Sequence, residues 1–278
     1  FGLALLQQLE HAAHGMPRRT RALVLVPTRE LALQVGESLR DMARHGAVPV
    51  RVATVYGGVS INPQMMGLRG GAEVVVATPG RLLDLVDRNA LVLDRVALLV
   101  LDEADRLLDE GFADELARIV ALLPRRRQNL LFSATMPGAV QALAQELLHE
   151  PVHVAATSEP DREPAAAAPI EQHAVQVDAA QRTPLLRHLI AEGGWTRVLV
   201  FVATRYSTEH VAKKLRRLGL NAAPLHGELS QGTRTQTLAD FKAAKIKVLI
   251  ATDLAARGID IVQMPVVVNY DLPRSAAD

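Results

Sequence analysis

The sequence contains no cysteine, so it offers neither a disulfide framework nor a thiolate metal site, as suits a reducing cytosol. Aromatic residues make up 3% of its 278 positions, too few for a single nucleic-acid strand to be held chiefly by stacked bases. No apolar run approaches the roughly 18 residues that a membrane-spanning helix needs, and no signal peptide opens the chain. Formal net charge is +1. Any nucleic-acid contact must therefore come from local arrangement and not from the field of a polycation. Together these absences predict a soluble, cytoplasmic protein without membrane association. The chain opens at Phe1 in "FGLALLQQLE", whose apolar positions read as the middle of a helix, and it is expected to be a fragment of a longer protein.

What is present is apolar sequence in abundance: 49% hydrophobic residues, enough for one large core or two smaller ones. Short β-branched or Leu-rich runs, "ALVLVP" (22–27), "RVATVY" (51–56), "EVVVAT" (73–78), "ALLVLD" (97–102) and "NLLFSAT" (129–135), alternate with helical patterns. Continuous rather than alternating hydrophobicity predicts strands covered on both faces, hence an α/β architecture with a mainly parallel sheet. Around "AATSEPDREPAAAAPIEQ" (155–172) the pattern dissolves into Pro, Ala and charge, as a linker does. Strands resume at "HAVQV" (173–177), "RVLVFVAT" (197–204), "KVLIAT" (247–252) and "PVVVNY" (265–270). We therefore expect a first domain over 1–155, a linker over 156–170 and a second domain over 171–278. The halves also resemble each other: a strand, a Thr-Arg pair and a helix occur in both, at Thr28-Arg29 and Thr204-Arg205, and a later Ala-Thr pair follows in each, at Thr78 and Thr252. A duplicated domain is one explanation of this match, chance the other.

In open α/β sheets ligands sit at the carboxyl ends of the strands, and the polar residues gather at such ends. Asp102, Glu103 and Asp105 follow the apolar run 97–101 directly. Like charges that close need compensation. An Asp at the tip of a buried strand, followed by Glu, suits Mg²⁺ binding and polarisation of an attacking water; the same run also suits a helix start. Thr28-Arg29, "TPGR" (78–81) and Thr204-Arg205 suit phosphate binding, while Thr28 and Thr204 equally suit helix caps and Gly80 a turn. "YGG" (56–58) allows a close backbone approach or a plain turn. Ser133 and Thr135 are placed to bond across to the carboxylates or to cap the next helix. His226, in "HGELSQGTR" (226–234), reads as a hydrogen-bonding residue and not a metal ligand.

Taken together, "PTRELA" (27–32), "GG" (57–58), "TPGR" (78–81), "DEAD" (102–105), "SAT" (133–135), "VFVATR" (200–205), "QGTR" (231–234) and "ATDLAARGID" (251–260) resemble, in order, the motifs of the DEAD-box ATP-dependent RNA helicases of superfamily 2. "GGVSINPQM" and "RRQNLLFSAT" look most similar to the bacterial RhlE-type branch. The resemblance implies two tandem RecA-like domains that close on ATP and on RNA. It implies that Asp102 and Glu103 serve Mg²⁺ and the attacking water, and that Asp105, Ser133 and Thr135 link hydrolysis to RNA binding. Asp253 is implied towards the nucleotide ribose, Arg257 and Asp260 towards the interdomain site. The implied RNA grip is Thr28, Arg29, Gly58, Thr78, Gly80 and Arg81 in the first domain, and Thr204, Arg205, Gly227, Arg234 and Thr252 in the second. Cofactors would be ATP and Mg²⁺; the partner would be RNA, read without regard to sequence, with ribosomal or RNA-decay assemblies as settings. Two departures stand out. A P-loop needs a lysine, and none precedes Lys213; the arginine-rich segment with the family's arginine finger is also absent. We expect both domains to be truncated at their outer ends, and the chain by itself to be nearly inactive in ATP hydrolysis.

Overall fold

The computed structural model describes residues 1–10, 18–46, 48–109, 111–155, 171–256 and 264–272. The chain divides into two compact units, Phe1–His149 and Glu150–Asp278. The segment expected to be a linker, 156–170, lies outside the described residues.

In the first unit the elements run α1 (Gly2–Glu10), β1 (Ala22–Leu25), α2 (Arg29–Ala43), β2 (Val52–Val55), α3 (Ile61–Leu68), β3 (Val74–Ala77), α4 (Pro79–Asp87), β4 (Leu98–Leu101), α5 (Ala104–Asp109), α6 (Ala113–Leu122), β5 (Gln128–Leu131) and α7 (Gly138–Leu147). The sheet order is β2-β3-β1-β4-β5, and every pairing is parallel. The three central strands, β1, β3 and β4, are buried along their whole length, which is why they read as unbroken apolar runs. Side chains alternate between two faces. Leu23, Leu25, Val75, Leu99 and Leu101 meet α4, α5, α6 and α7 through Leu82, Leu107, Ile119 and Val140. Val24, Val76 and Val100 meet α1 and α2 through Leu5, Leu9 and Leu39. A sheet with helices on both faces needs this period of two in strands that are apolar throughout.

The second unit runs α8 (Arg182–Glu192), β6 (Val198–Phe201), α9 (Arg205–Arg217), β7 (Ala222–Leu225), α10 (Gln231–Lys242), β8 (Val248–Ala251), α11 (Asp253–Ala256) and β9 (Val266–Asn269). Its parallel sheet has the order β7-β8-β6-β9. Replacing β1, β2, β3 and β4 by β6, β7, β8 and β9 turns the first order into the second, so the internal resemblance in the sequence is matched by topology. Val198, Val200 and Val248 pack against α8 and α9, while Leu249 and Ala251 pack against Phe241 of α10.

One expectation is corrected, and one strand appears where none was expected. "HAVQV" (173–177) forms no strand: residues 171–178 carry no regular structure, and Val175 is 56% exposed. Its alternating pattern is short, and a strand without a ladder partner has nothing to hold it. Conversely β7 contains Pro224, which breaks the apolar run and hides the strand; it survives as an edge strand, where the missing N–H faces no partner.

Candidate functional site

Because all strands are parallel, their strand-to-helix junctions lie along one edge of each sheet. The register aligns Leu25 with Ala77 and Leu101, Val55 with Ala77, and Leu101 with Leu131. Residues 28–29, 57–58, 78–81, 102–105 and 133–135 therefore follow strand ends at one level of the first unit. In the second unit Phe201, Leu225 and Ala251 are aligned in the same way, which places Thr204-Arg205, Gly227 and Thr252-Asp253 on its carboxyl edge. Each expected cluster thus has its own edge.

At the tip of β4 the acidic residues divide their work. Glu103 adopts a left-handed backbone, φ 51°, an uncommon conformation for a residue with a side chain, and there the chain turns from β4 into α5. Asp102 Oδ1 accepts the adjacent Glu103 N–H at 3.1 Å. Asp105, itself buried, is locked across to the loop after β5. Its Oδ2 accepts the Thr135 hydroxyl at 2.6 Å and the Thr135 N–H at 3.0 Å, and its own N–H donates to Ser133 Oγ at 3.2 Å. Ser133 in turn donates to the Thr135 carbonyl at 2.6 Å. Of the two uses open to Ser133 and Thr135, bonding to the acidic loop is realised; α7 begins after Pro137 without a side-chain cap. A helix-start role for the acidic run is served from outside, since Ser133 takes the Asp105 N–H.

The electrostatics follow this division. Burial pushes the carboxyl of Asp102 up, against the Glu103 N–H that pulls it down. Burial also raises Glu103; Arg106 opposes, while Asp102 and Asp105 add to the rise. For Asp105 burial again pushes up, but the Thr135 hydroxyl and the Arg106 and Thr135 N–H groups together hold it below the ordinary carboxylate value. Glu103 Oε2 is a buried atom that makes no hydrogen bond, with Arg106 Nε 3.5 Å away. Arg106 was not anticipated from sequence, although its spacing of three from Glu103 on a helix was a legible signal. A buried carboxylate oxygen that makes no hydrogen bond, beside a second carboxylate that burial disfavours, fits a divalent cation. Among the described residues no group of three or more His, Cys, Asp or Glu is arranged to hold a metal ion. Asp102 and Glu103 would be the residues to hold Mg²⁺, which commonly takes only one or two carboxylates from a protein.

Elsewhere on the edge, Thr28 and Thr204 do cap helices: their hydroxyls accept the N–H groups of Leu31 at 3.2 Å and Ser207 at 3.1 Å. Gly58 has φ +75°, and a Cβ there would run into the guanidinium of Arg29, so these two residues lie against each other. Thr78 Oγ1 accepts the Gly57 N–H at 3.3 Å. Arg81 is buried, donating to the Val59 carbonyl at 2.7 Å with Asp84 3.6 Å away, and its Nε and Nη1 atoms lack a hydrogen-bond partner. Gly80 and Gly227 have open space where a Cβ would stand. Arg205 is ion-paired with Glu228, and Arg234 is buried in α10. His226 meets Glu209 at 3.1 Å, as a hydrogen-bonding histidine does. Asp253 opens α11 and is exposed; Arg257 and Asp260 lie outside the described residues. Asp271, unremarked in the sequence, accepts the Ala203 N–H at 2.9 Å and pairs with Arg182 at 3.2 Å, holding the loop that leads to Thr204. No local pattern announces a contact between residues so far apart in the chain.

The DEAD/DEAH box helicase family model matches residues 1–143, and the helicase conserved C-terminal domain model matches residues 181–278. The ATP-dependent RNA helicase DeaD of Mycobacterium tuberculosis (strain ATCC 25618 / H37Rv) is 44% identical over 255 residues, which are 91% of this chain and 44% of that protein. The protein of the same name from Escherichia coli (strain K12) is 39% identical over 277 residues, 98% of this chain and 42% of its own length. The chain thus spans less than half the length of these curated relatives. Among solved structures, S. cerevisiae Dbp5 bound to RNA and ADP BeF3 aligns with a TM-score of 0.77 at 30% identity, over 100% of this chain and 68% of that one.

Proposed function

The chain belongs to the DEAD-box family of ATP-dependent RNA helicases, and from that premise we propose that it supplies part of an RNA-dependent ATPase that unwinds short duplexes or remodels RNA–protein complexes. The observation that carries this reading is the division of labour at β4. Asp105 is consumed by Thr135 and Ser133, whereas Asp102 and Glu103 keep carboxylates that burial disfavours, one oxygen of which makes no hydrogen bond. Asp102 and Glu103 are the residues that would hold Mg²⁺ with ATP; the ion would neutralise charge on the phosphates. Glu103, with its carboxyl raised, is suited to accept a proton from the attacking water. The Asp105 lock ties that strand tip to the loop after β5, so a shift in either is felt by the other.

RNA is proposed to lie along the carboxyl edges of the two units, held through phosphate and sugar by Thr28, Arg29, Gly58, Thr78, Gly80 and Arg81 and by Thr204, Arg205, Gly227, Arg234 and Thr252. Contacts of this kind carry no sequence information and give a salt-dependent affinity. Support comes from the glycines: neither Gly80 nor Gly227 is required by packing, and the room beside their backbones is what a ligand backbone needs. Asp253 is assigned to the nucleotide ribose; Arg257 and Asp260 are assigned to the nucleotide on the motif alone. Choice of RNA over DNA rests on the 2′-hydroxyls.

These 278 residues include no Gly-x-x-x-x-Gly-Lys-Ser/Thr segment, so by themselves they are proposed to bind RNA while hydrolysing ATP far below the family's usual rate. The deciding experiment measures RNA-stimulated ATP hydrolysis by a longer chain that supplies a P-loop, beside its Glu103→Gln variant and the 278-residue chain. Turnover only with RNA, lost in the variant and in the short chain, is the expected result. RNA binding by the longer chain with no hydrolysis would make the protein a binding module.

A further inference from the structure

Away from the edge that carries the carboxylates, a depression of about 480 Å³ opens where the end of α2 meets the start of β2, at the amino-terminal edge of the first sheet. Arg40, Arg44 and Arg51 stand in its wall beside Pro49 and Val50. Basic residues at the end of a helix ordinarily answer the macrodipole, and that would account for Arg40 and Arg44. It does not account for Arg51, which lies in the loop before β2, or for the way the guanidinium groups are held. Arg40 Nη1 donates to the Thr54 hydroxyl at 2.9 Å, and Arg51 Nη2 donates to the Gly67 carbonyl at 2.7 Å. Both acceptors are neutral. These bonds fix two guanidinium groups through neutral acceptors, each using one of five donors; the neighbouring carboxylate of Glu73 accepts the Arg51 backbone N–H at 2.8 Å and pairs with Arg18 at 3.0 Å. Arg44 pairs with Asp41 at 2.6 Å, both groups being exposed, an interaction of the weakest class and easily exchanged for another anion.

The geometry points to a second anion site: the arginine depression at the amino edge of the first sheet binds phosphates of an RNA strand beyond the stretch gripped at the carboxyl edge, an inference that rests on the RNA-binding reading above. The guanidinium fork matches phosphate with two parallel hydrogen bonds, and the neutral anchors at Thr54 and Gly67 have already restricted the side chains that would make them. Arg51 precedes β2 and Gly58 follows it, so the two edges are separated by at least the four-residue strand, on the order of 13 Å at about 3.3 Å per residue. A strand held at one edge reaches the other only if it is long enough, and then does so at high effective concentration.

The test compares a short single-stranded RNA with one several times longer, titrated by fluorescence anisotropy against the 278-residue chain over a range of salt. In the double variant Arg44→Gln, Arg51→Gln the short strand should bind as before. The longer strand should lose about 1.4 units of slope in log affinity against log salt, at about 0.7 per single-strand phosphate contact. The variant Arg44→Lys, Arg51→Lys should keep most of that slope, and unchanged thermal melting shows that both variants fold. Equal slopes for the longer strand in the wild-type chain and the Gln variant would overturn the site, as would capture of a polyglutamate peptide by these arginines with no change in RNA slope. If the wild-type chain binds neither strand, the RNA reading itself falls, an outcome distinct from loss of this site alone.

Discussion

At the scale of single residues, three neighbouring carboxylates behave in opposite ways because their partners differ. Asp102 is raised by burial, so its folded state prefers the proton. Its contribution to stability is whole at acid pH and is lost as pH rises through the folded value. Without divalent cations Asp102→Asn, which keeps the Oδ1 acceptor for the Glu103 N–H, should therefore raise the melting temperature at neutral pH. The gain should vanish below about pH 4, where the carboxyl is protonated folded or unfolded; thermal melts across pH check it. Asp105 has the opposite sign. Its carboxyl is held below the ordinary value of 3.8, so its stabilisation is present above that value and disappears as pH falls through the folded one. Thr135→Val removes the 2.6 Å hydroxyl bond and should cost about 2 kcal/mol at neutral pH, narrowing in acid, by denaturant titration. Sequence alone made these residues candidates; it did not say which carboxylate was spent on structure, since that depends on Ser133 and Thr135 arriving from another strand.

At the scale of elements, the helix starts separate capping from binding. Thr28 and Thr204 cap α2 and α9, and Thr28→Ala should destabilise the first unit by about 1 kcal/mol as well as weakening RNA binding. Gly80 separates the two effects. It lies in the first turn of α4, and a methyl group added to its Cα would have nothing within 4 Å, so Gly80→Ala should stabilise the helix by roughly 0.5 to 1 kcal/mol through lower unfolded-chain entropy. The same variant should bind RNA more weakly, because the methyl occupies the space proposed for the ligand. A melting temperature that rises while the anisotropy titration shifts to weaker binding is the expected pair of results. The strands were legible where an apolar run was unbroken, as in β1, β3, β4 and β8. One was missed where proline interrupted an edge strand, at β7, and one was misread where a short pattern found no neighbour, at 173–177.

At the scale of the whole molecule, each buried cluster draws its residues from one unit, so each unit has its own core. Leu99→Ala, which empties a fully buried position in β4, should cost about 2 to 5 kcal/mol and lower the unfolding transition of the first unit without moving that of the second. Differential scanning calorimetry with Ile250→Ala as the reciprocal variant checks this. The sequence by itself determined the α/β class, the doubling of the strand–helix pattern and the chemical types gathered at strand ends, because burial on both faces and turn chemistry leave local marks. Only the tertiary structure decided that Asp105 is locked to Thr135 while a Glu103 oxygen is left without a hydrogen bond, that Arg29 lies on Gly58, and that Arg40 and Arg51 are anchored by neutral acceptors. Each of those facts joins residues from different elements, and a contact of that kind is set by strand order and register, which no local window of the sequence contains.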